Sequence, residues 1–536
     1  MKHSVWIRTA VALLAVLICL GSLTVLLVCA EEGVDGAYEA KKTAWHEKLM
    51  ADDVTSDDLL IGSWVSFYSF GKDSYEHQLD QMAAAGINFN IFPKNFGEGA
   101  MYDAAYWNDV EAQYAKRNMV YMMNGSMAET NVAPGVQYAA GKEHCIGYHV
   151  VDEPTADRFT EISRLVGLYR AADETRYPFV NLFPSYAPTW ALGGTYAEHV
   201  TNFVQTVGAE NIEYLSHDYY PFREGVVVSD IFSDMEVLRR VAYENGKLKT
   251  HAFPQSTAWN GTRMPTVDEM RWNVYGYLAY GFKALSWFNL VCPGYSDTEG
   301  EGFRDSLIYR DGTIRDPAYF AAWSELNWEI RGLSDILMNL DTAHAYHVHR
   351  NVIGVEYLPE DYFLQRNGYN DFIISVMEPK EGDDAFIMLF NKKTDRNVTC
   401  EFTVDPSAGV RWVEYFDPHI GEYSPVEFVD GMLKDAFLPG EGKLYRLRYD
   451  DPPSETEAPT EEPTDAPIES VVTEASTDAP TEPLETDIST DAPLDGTEAA
   501  TDEPAGKTGC SSAVGFGAVA VLMAAAAAVA LRKRDE

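Results

Sequence analysis

Asp152 and Glu153 stand side by side before Pro154, directly after the apolar run His149-Val150-Val151. Adjacent carboxyls resist double ionisation, so one can hold a proton near neutral pH while the other stays charged. Asp218, in Ser216-His217-Asp218-Tyr219-Tyr220, ends another apolar run and could serve as nucleophile or base opposite either of them. Trp64, Tyr68, Asn124, His217, Tyr219, His251, Gln255 and Trp287 stand at the ends of further runs. Aromatic faces stack on the C–H surfaces of sugar rings and short polar side chains bond hydroxyls, so these are candidate substrate-binding residues. A purely structural role fits some of them too, because Asp152 or Thr155 also suits a helix N-cap. Metal-ligand spacings of the HxH or HExxH type are absent, and Cys145, Cys292 and Cys400 are scattered without a CxxC pair. Neither a metal nor a cofactor is expected.

The elements that must position these groups alternate. Strand-length apolar runs at Ile61–Phe67, Ile87–Phe92, Met119–Asn124, Ile146–Val151, Phe179–Phe183, Ile212–Tyr219, Leu248–Phe253 and Ala284–Phe288 are separated by segments of helical period. The latter include Tyr75–Ala85, Tyr106–Arg117, Arg158–Ala172, Ser229–Asn245 and Asp316–Leu340, the last opened by an Asp-Pro cap. Eight repeats predict a (β/α)8 TIM barrel over 59–340, whose reactive groups sit at the C-terminal strand ends. The competing open sheet announces itself with a glycine-rich phosphate turn after its first strand, and none follows Phe67. Period-two runs at Phe372–Met377, Ala385–Phe390, Thr399–Val404 and Val413–Phe416 predict a small antiparallel β-sandwich over 341–450. Residues 31–58 form a lead-in.

The 536 residues carry 41 Lys+Arg against 83 Asp+Glu, a net charge of −42 that repels phosphate backbones and excludes nucleic acid as the expected partner. Asp451 to Pro504 supplies 17 acidic residues and no basic one, with Thr-Asp-Ala-Pro at Thr464, Thr477 and Thr490. Such a segment buries too little apolar surface to offset its ordering entropy, so 451–508 reads as an extended stalk. Lys2 and Arg8 precede an apolar run from Ala10 to Ala30, the pattern of an export signal over 1–30. Ala513 to Leu531 is uncharged and followed by Arg532-Lys533-Arg534, the pattern of a transmembrane anchor over 509–536 with the body outside. Display at the cell surface is the expectation.

Asp152-Glu153-Pro154 resembles the Asn-Glu-Pro that closes strand four of retaining (β/α)8 glycoside hydrolases. Pro265-Thr266-Val267-Asp268-Glu269, Tyr280-Gly281-Phe282-Lys283-Ala284, Asn327-Trp328-Glu329-Ile330 and Leu438-Pro439-Gly440-Glu441-Gly442-Lys443-Leu444 are similar to stretches of β-galactosidase-like barrels backed by a β-sandwich. The resemblance implies that Glu153 is the general acid/base. It also shows two departures. The strand-seven nucleophile position holds Pro254-Gln255-Ser256 without a carboxylate, and Asp152 replaces the Asn. Both departures are similar to the N-acetylhexosaminidase families, where the substrate's own 2-acetamido oxygen attacks the anomeric carbon and the Asp polarises the acetamide N–H. Two other readings stay open: an Asp218-dependent pair of the α-galactosidase-like kind, and a surface lectin that binds glycan without cleaving it. Convergence of Asp152, Glu153 and Asp218 on one site would favour an enzyme.

Overall fold

The computed structural model describes residues 36–65, 72–94, 103–259, 261–291, 303–309 and 312–452. The expected export signal, stalk and transmembrane anchor, and Tyr68, lie outside the described residues. Among the described residues no helix is long and apolar enough to cross a membrane.

Eight strands close into a parallel barrel in sequential order. They are β1 (Leu60–Val65), β2 (Phe89–Phe92), β3 (Val120–Asn124), β4 (Cys145–Asp152), β5 (Tyr177–Leu182), β6 (Tyr214–Asp218), β7 (Lys249–Phe253) and β8 (Ala284–Trp287). Helices α1 (Lys72–Ala84), α2 (Ala104–Ala115), α3 (Val132–Ala139), α4 (Phe159–Ala172), α5 (Tyr196–Val207), α6 (Ile231–Glu244), α7 (Val267–Ala279) and α8 (Pro317–Gly332) make the outer layer. The (β/α)8 barrel read from the apolar runs is thus the observed fold. Local chemistry sets several helix starts. Thr266 and Glu269 form a reciprocal capping box on α7, and the Asp316 carboxyl accepts from the Ala318 and Tyr319 amides at the start of α8.

Strand parity divides the interior from the helix-facing layer. Trp64, Tyr177, Phe179, Tyr214, Phe253 and Ala284 belong to the core inside the barrel, whereas Ile61, Leu215, Ala252, Leu285 and Trp287 pack outward against the helices.

The sandwich pairs a six-stranded sheet with a four-stranded one. With β9 (Leu340–His347), β10 (Leu364–Arg366), β11 (Phe372–Pro379), β12 (Ala385–Asn391), β13 (Val398–Val404), β14 (Trp412–Asp417), β15 (Glu422–Pro425), β16 (Glu427–Val429), β17 (Met432–Phe437) and β18 (Gly442–Arg448), the orders are β9-β11-β12-β18-β14-β15 and β10-β13-β17-β16. All pairings within them are antiparallel. The six-stranded sheet docks on α6 and α7 through Phe232, Trp272 and Phe390, with Ser375 donating to the Ala279 carbonyl at 2.6 Å.

One local expectation needs correction. The helical reading of Asp316–Leu340 ends early, because α8 stops at Gly332, a short helix takes Ser334–Met338, and Leu340 already begins β9. Gly332, the last residue of α8, sits at a chain crossing: a Cβ there would meet the Pro418 carbonyl, so packing, not helix propensity, decides the residue at that position. The expected lead-in carries an element of its own. Residues 36–51 form a helix whose His46 stacks on Trp328 at 4.4 Å and whose Trp45 indole donates to the Pro418 carbonyl.

Candidate active site

β4, β5 and β6 bring their C-terminal ends together, and the three expected catalytic carboxyls converge there. A β-bulge between His149 and Val151 re-aims the end of β4. His149 consequently sits among Trp64, Phe92 and Phe179, with ring centroids at 5.1, 4.8 and 6.0 Å, and Asp152 reaches Asn181 of β5. Gly125 at the end of β3 permits this bend, since a Cβ would lie 2.5 Å from the His149 carbonyl oxygen. Glu153 follows with φ +44°, a left-handed conformation uncommon for a residue with a side chain and one that concentrates at functional sites.

One amide joins the carboxyls. Asn181 Nδ2 donates to Asp152 Oδ1 at 3.0 Å and to Asp218 Oδ1 at 3.3 Å, so those two oxygens cannot be farther apart than the two bonds laid end to end. The Glu153 and Tyr220 side chains lie beside the Asp218 carboxyl, Glu153 gaining proton affinity there and Tyr220 lowering that of Asp218. Burial pushes Asp152 up to about 6, opposed by the Asn181 bond. Burial, then the charge of Asp152, pushes Asp218 up to about 7, opposed by Asn181 and Tyr220. Glu153 is driven well above the usual carboxyl range by burial and by Asp218 and Asp152 beside it. Within the trio, Glu153 is thus the carboxyl driven toward its protonated form, beside Asp152. None of the three pairs with a Lys or Arg among the described residues. Nor does any group of three His, Cys, Asp or Glu there have the arrangement of a metal site.

Aromatic rings surround the carboxyls. Tyr220 meets Trp259 edge-on at 4.8 Å and Phe288 at 5.0 Å, while Trp64 packs between Phe92 and Phe253. Tyr186, in the loop after β5, lies in the field of Asp218 and Glu153 and carries the Arg223 guanidinium over its ring at 5.1 Å. Asn124, at the end of β3, leaves its buried Oδ1 without a partner among the described residues, open to a ligand hydroxyl or amide.

The remaining expected binding residues are placed differently. His217 and Trp287 have outward parity: His217 bonds the Tyr196 hydroxyl at 3.1 Å, and the Trp287 indole donates to Asn327 at 2.9 Å. Tyr219 also turns outward and packs behind Tyr186 at 5.1 Å. Gln255 is fully buried and braces loops, accepting from the Phe222 amide and donating to the Thr257 and Arg263 carbonyls. His251 points inward but below the carboxyls, both nitrogens engaged by serines. Asn181, Tyr186, Tyr220 and His149 had not been singled out from the sequence. Asn181 was legible by parity alone, two residues beyond Phe179 on the inner face of β5.

No family model matches the chain, and no curated protein matches it. Solved structures do resemble it. A glycoside hydrolase family 5 structure from Bacteroides vulgatus ATCC 8482 shares 12% identity at a TM-score of 0.46, over 73% of this chain and 89% of that one. An α-amylase from Anoxybacillus shares 10% identity at a TM-score of 0.44, over 75% of this chain and 100% of that one. A β-galactosidase from Bacillus circulans sp. alkalophilus shares 9% identity at a TM-score of 0.49, over 73% of this chain and 99% of that one. These likenesses concern the barrel fold, and the chemistry of the site rests on its own residues.

Proposed function

We propose that the protein is a glycoside hydrolase acting on extracellular glycans, with Glu153 as general acid. The observation that carries this is the convergence of Glu153, Asp152 and Asp218 in an aromatic-lined barrel mouth, where burial and the two neighbouring carboxyls raise the proton affinity of Glu153. A carboxyl kept neutral near pH 7 can protonate a departing glycosidic oxygen, and a neighbouring carboxylate can stabilise the positive charge left on the sugar.

The residues at the strand ends favour one branch of that chemistry. With Gln255 committed to its loop, no carboxylate stands after β7 to serve as nucleophile. A 2-acetamido sugar supplies its own: Asp152 accepts from the acetamide N–H, the carbonyl oxygen attacks the anomeric carbon, and Glu153 donates its proton to the leaving oxygen. The same Glu153, then ionised, takes a proton from the water that opens the intermediate.

Aryl glycosides with and without a 2-acetamido group test this. Turnover confined to the acetamido series is expected, with Asp152→Asn costing that series most. Turnover of plain glycosides, with a 2-fluoro sugar trapped on Asp218, would transfer the nucleophile role to Asp218. Binding without turnover of either series would make the protein a lectin. The site of action proposed here is the cell surface, and protease treatment of intact cells should release the body.

A further inference from the structure

Below the carboxyls, a file of inward-facing polar side chains crosses the barrel from β8 to β5. Ser286 Oγ lies 2.9 Å from His251 Nε2, His251 Nδ1 lies 2.8 Å from Ser216 Oγ, and Ser216 Oγ lies 2.9 Å from Asn181 Oδ1. All four residues are at most 2% exposed. Their hydrogens can be assigned one at a time. Asn181 Nδ2 faces two carboxyl oxygens, and an ionised carboxylate only accepts, so the amide nitrogen must point at them and Oδ1 must point away. Oδ1 accepts, so the single hydroxyl hydrogen of Ser216 goes to it. Ser216 Oγ can then only accept from His251, which requires the hydrogen on Nδ1. Nε2 is left with its lone pair and accepts from Ser286.

We infer that His251 is a positioning residue, whose Nδ1–H, relayed through Ser216, locks the amide of Asn181 with its donor toward Asp152 and Asp218. Burial holds the imidazole down at about 3, so it stays neutral and keeps this tautomer across the working pH range. The carboxylates draw Nδ2 from one side and the relay holds Oδ1 from the other, so without the relay the orientation rests on the carboxylates alone and weakens as they take up protons. A flipped Asn181 would present Oδ1 to the carboxylates, and both carboxyls would then bind protons more tightly. Facing the carboxyl pair are Glu153 from β4, Tyr186 and Tyr220 from the loops after β5 and β6, and Tyr196 and Tyr277 from α5 and α7. Facing His251 are His217 and Tyr214. None of these carries a cation that could replace the amide's donor.

The inference rests on Asp152 and Asp218 being the working carboxylates, and its test reads their protonation with and without catalysis. In full-length protein carrying 13C at the Asp side-chain carboxyls, their resonances are assigned with Asp152→Asn and Asp218→Asn and titrated. Ser216→Ala, which removes one atom from the file, should move both midpoints up by about half to one pH unit. His251→Leu should do the same, and His251→Asn, which keeps a donor near the Nδ1 position, should leave them near the native midpoints. The acid limb of kcat/KM should move by the same amount. Midpoints unmoved in Ser216→Ala, or moved as far in His251→Asn as in His251→Leu, would overturn the role. Should His251→Leu fail to fold, Ser216→Ala decides alone. Shifted midpoints in a protein that cleaves no glycoside would keep the relay and remove the hydrolase reading.

Discussion

Buried and half-buried carboxyls are treated in opposite ways at the barrel mouth and in the sandwich. In the sandwich, Asp371 bonds Lys392 at 3.2 Å with both side chains at most 7% exposed, Glu414 lies 2.7 Å from Arg446, and Asp435 pairs with Lys443 and the Tyr445 hydroxyl. At the barrel mouth, Asp152, Glu153 and Asp218 receive only neutral donors and one another. A buried charge without a counter-ion is costly, and such sites persist where a raised proton affinity serves a purpose. The contrast separates these sandwich pairs, whose charges are neutralised in place, from a trio of carboxyls at the mouth that has no counter-ion among the described residues.

The largest effect should come from Glu153→Gln. It keeps the shape of the trio but removes the transferable proton, so kcat should fall by about 10²–10⁴, and less for aryl leaving groups that need no protonation. Unchanged turnover would end the catalytic half of the contrast.

Lys392→Met should break the sandwich side. It strands Asp371 inside, at about 3 kcal/mol, and should lower Tm by several degrees while leaving the pH profile of any activity in place. A shifted profile would mean that the two regions are not independent.

Asp218→Asn should do the reverse and stabilise the protein. The folded-state pKa of Asp218 lies above its ordinary value of 3.8, so the folded protein binds the proton more tightly, and stability drains away as pH rises from about 4 to about 7. The variant avoids that loss. It should unfold later than the native protein at pH 8, by on the order of 2 kcal/mol, and the advantage should vanish at pH 4. Equal stability at both values would show that the mouth carries no uncompensated charge. The smallest effect should come from Tyr220→Phe. It removes one donor from Asp218, about 1 kcal/mol, and should raise the midpoint of that residue by less than one pH unit.

The sequence by itself determined the barrel. Eight apolar runs at repeat spacing leave few other ways to bury them, and each run overlaps an observed strand. The carboxyls at Asp152, Glu153 and Asp218 were legible too, because a charge that ends a buried strand marks the rim. Parity could have removed His217 and Trp287, which stand one residue out of phase with inward Ser216 and Ser286 on the same strands. Only the tertiary structure decided the rest. The bulge at His149 depends on β4 meeting β3 and β5, and the helix over residues 36–51 is held by α8 and by the Pro418 segment far along the chain. The engagement of Gln255 and the file from Ser286 to Asn181 join residues up to about a hundred positions apart. Such contacts arise when the strands close into a ring, and proton affinity follows from those contacts and not from residue type.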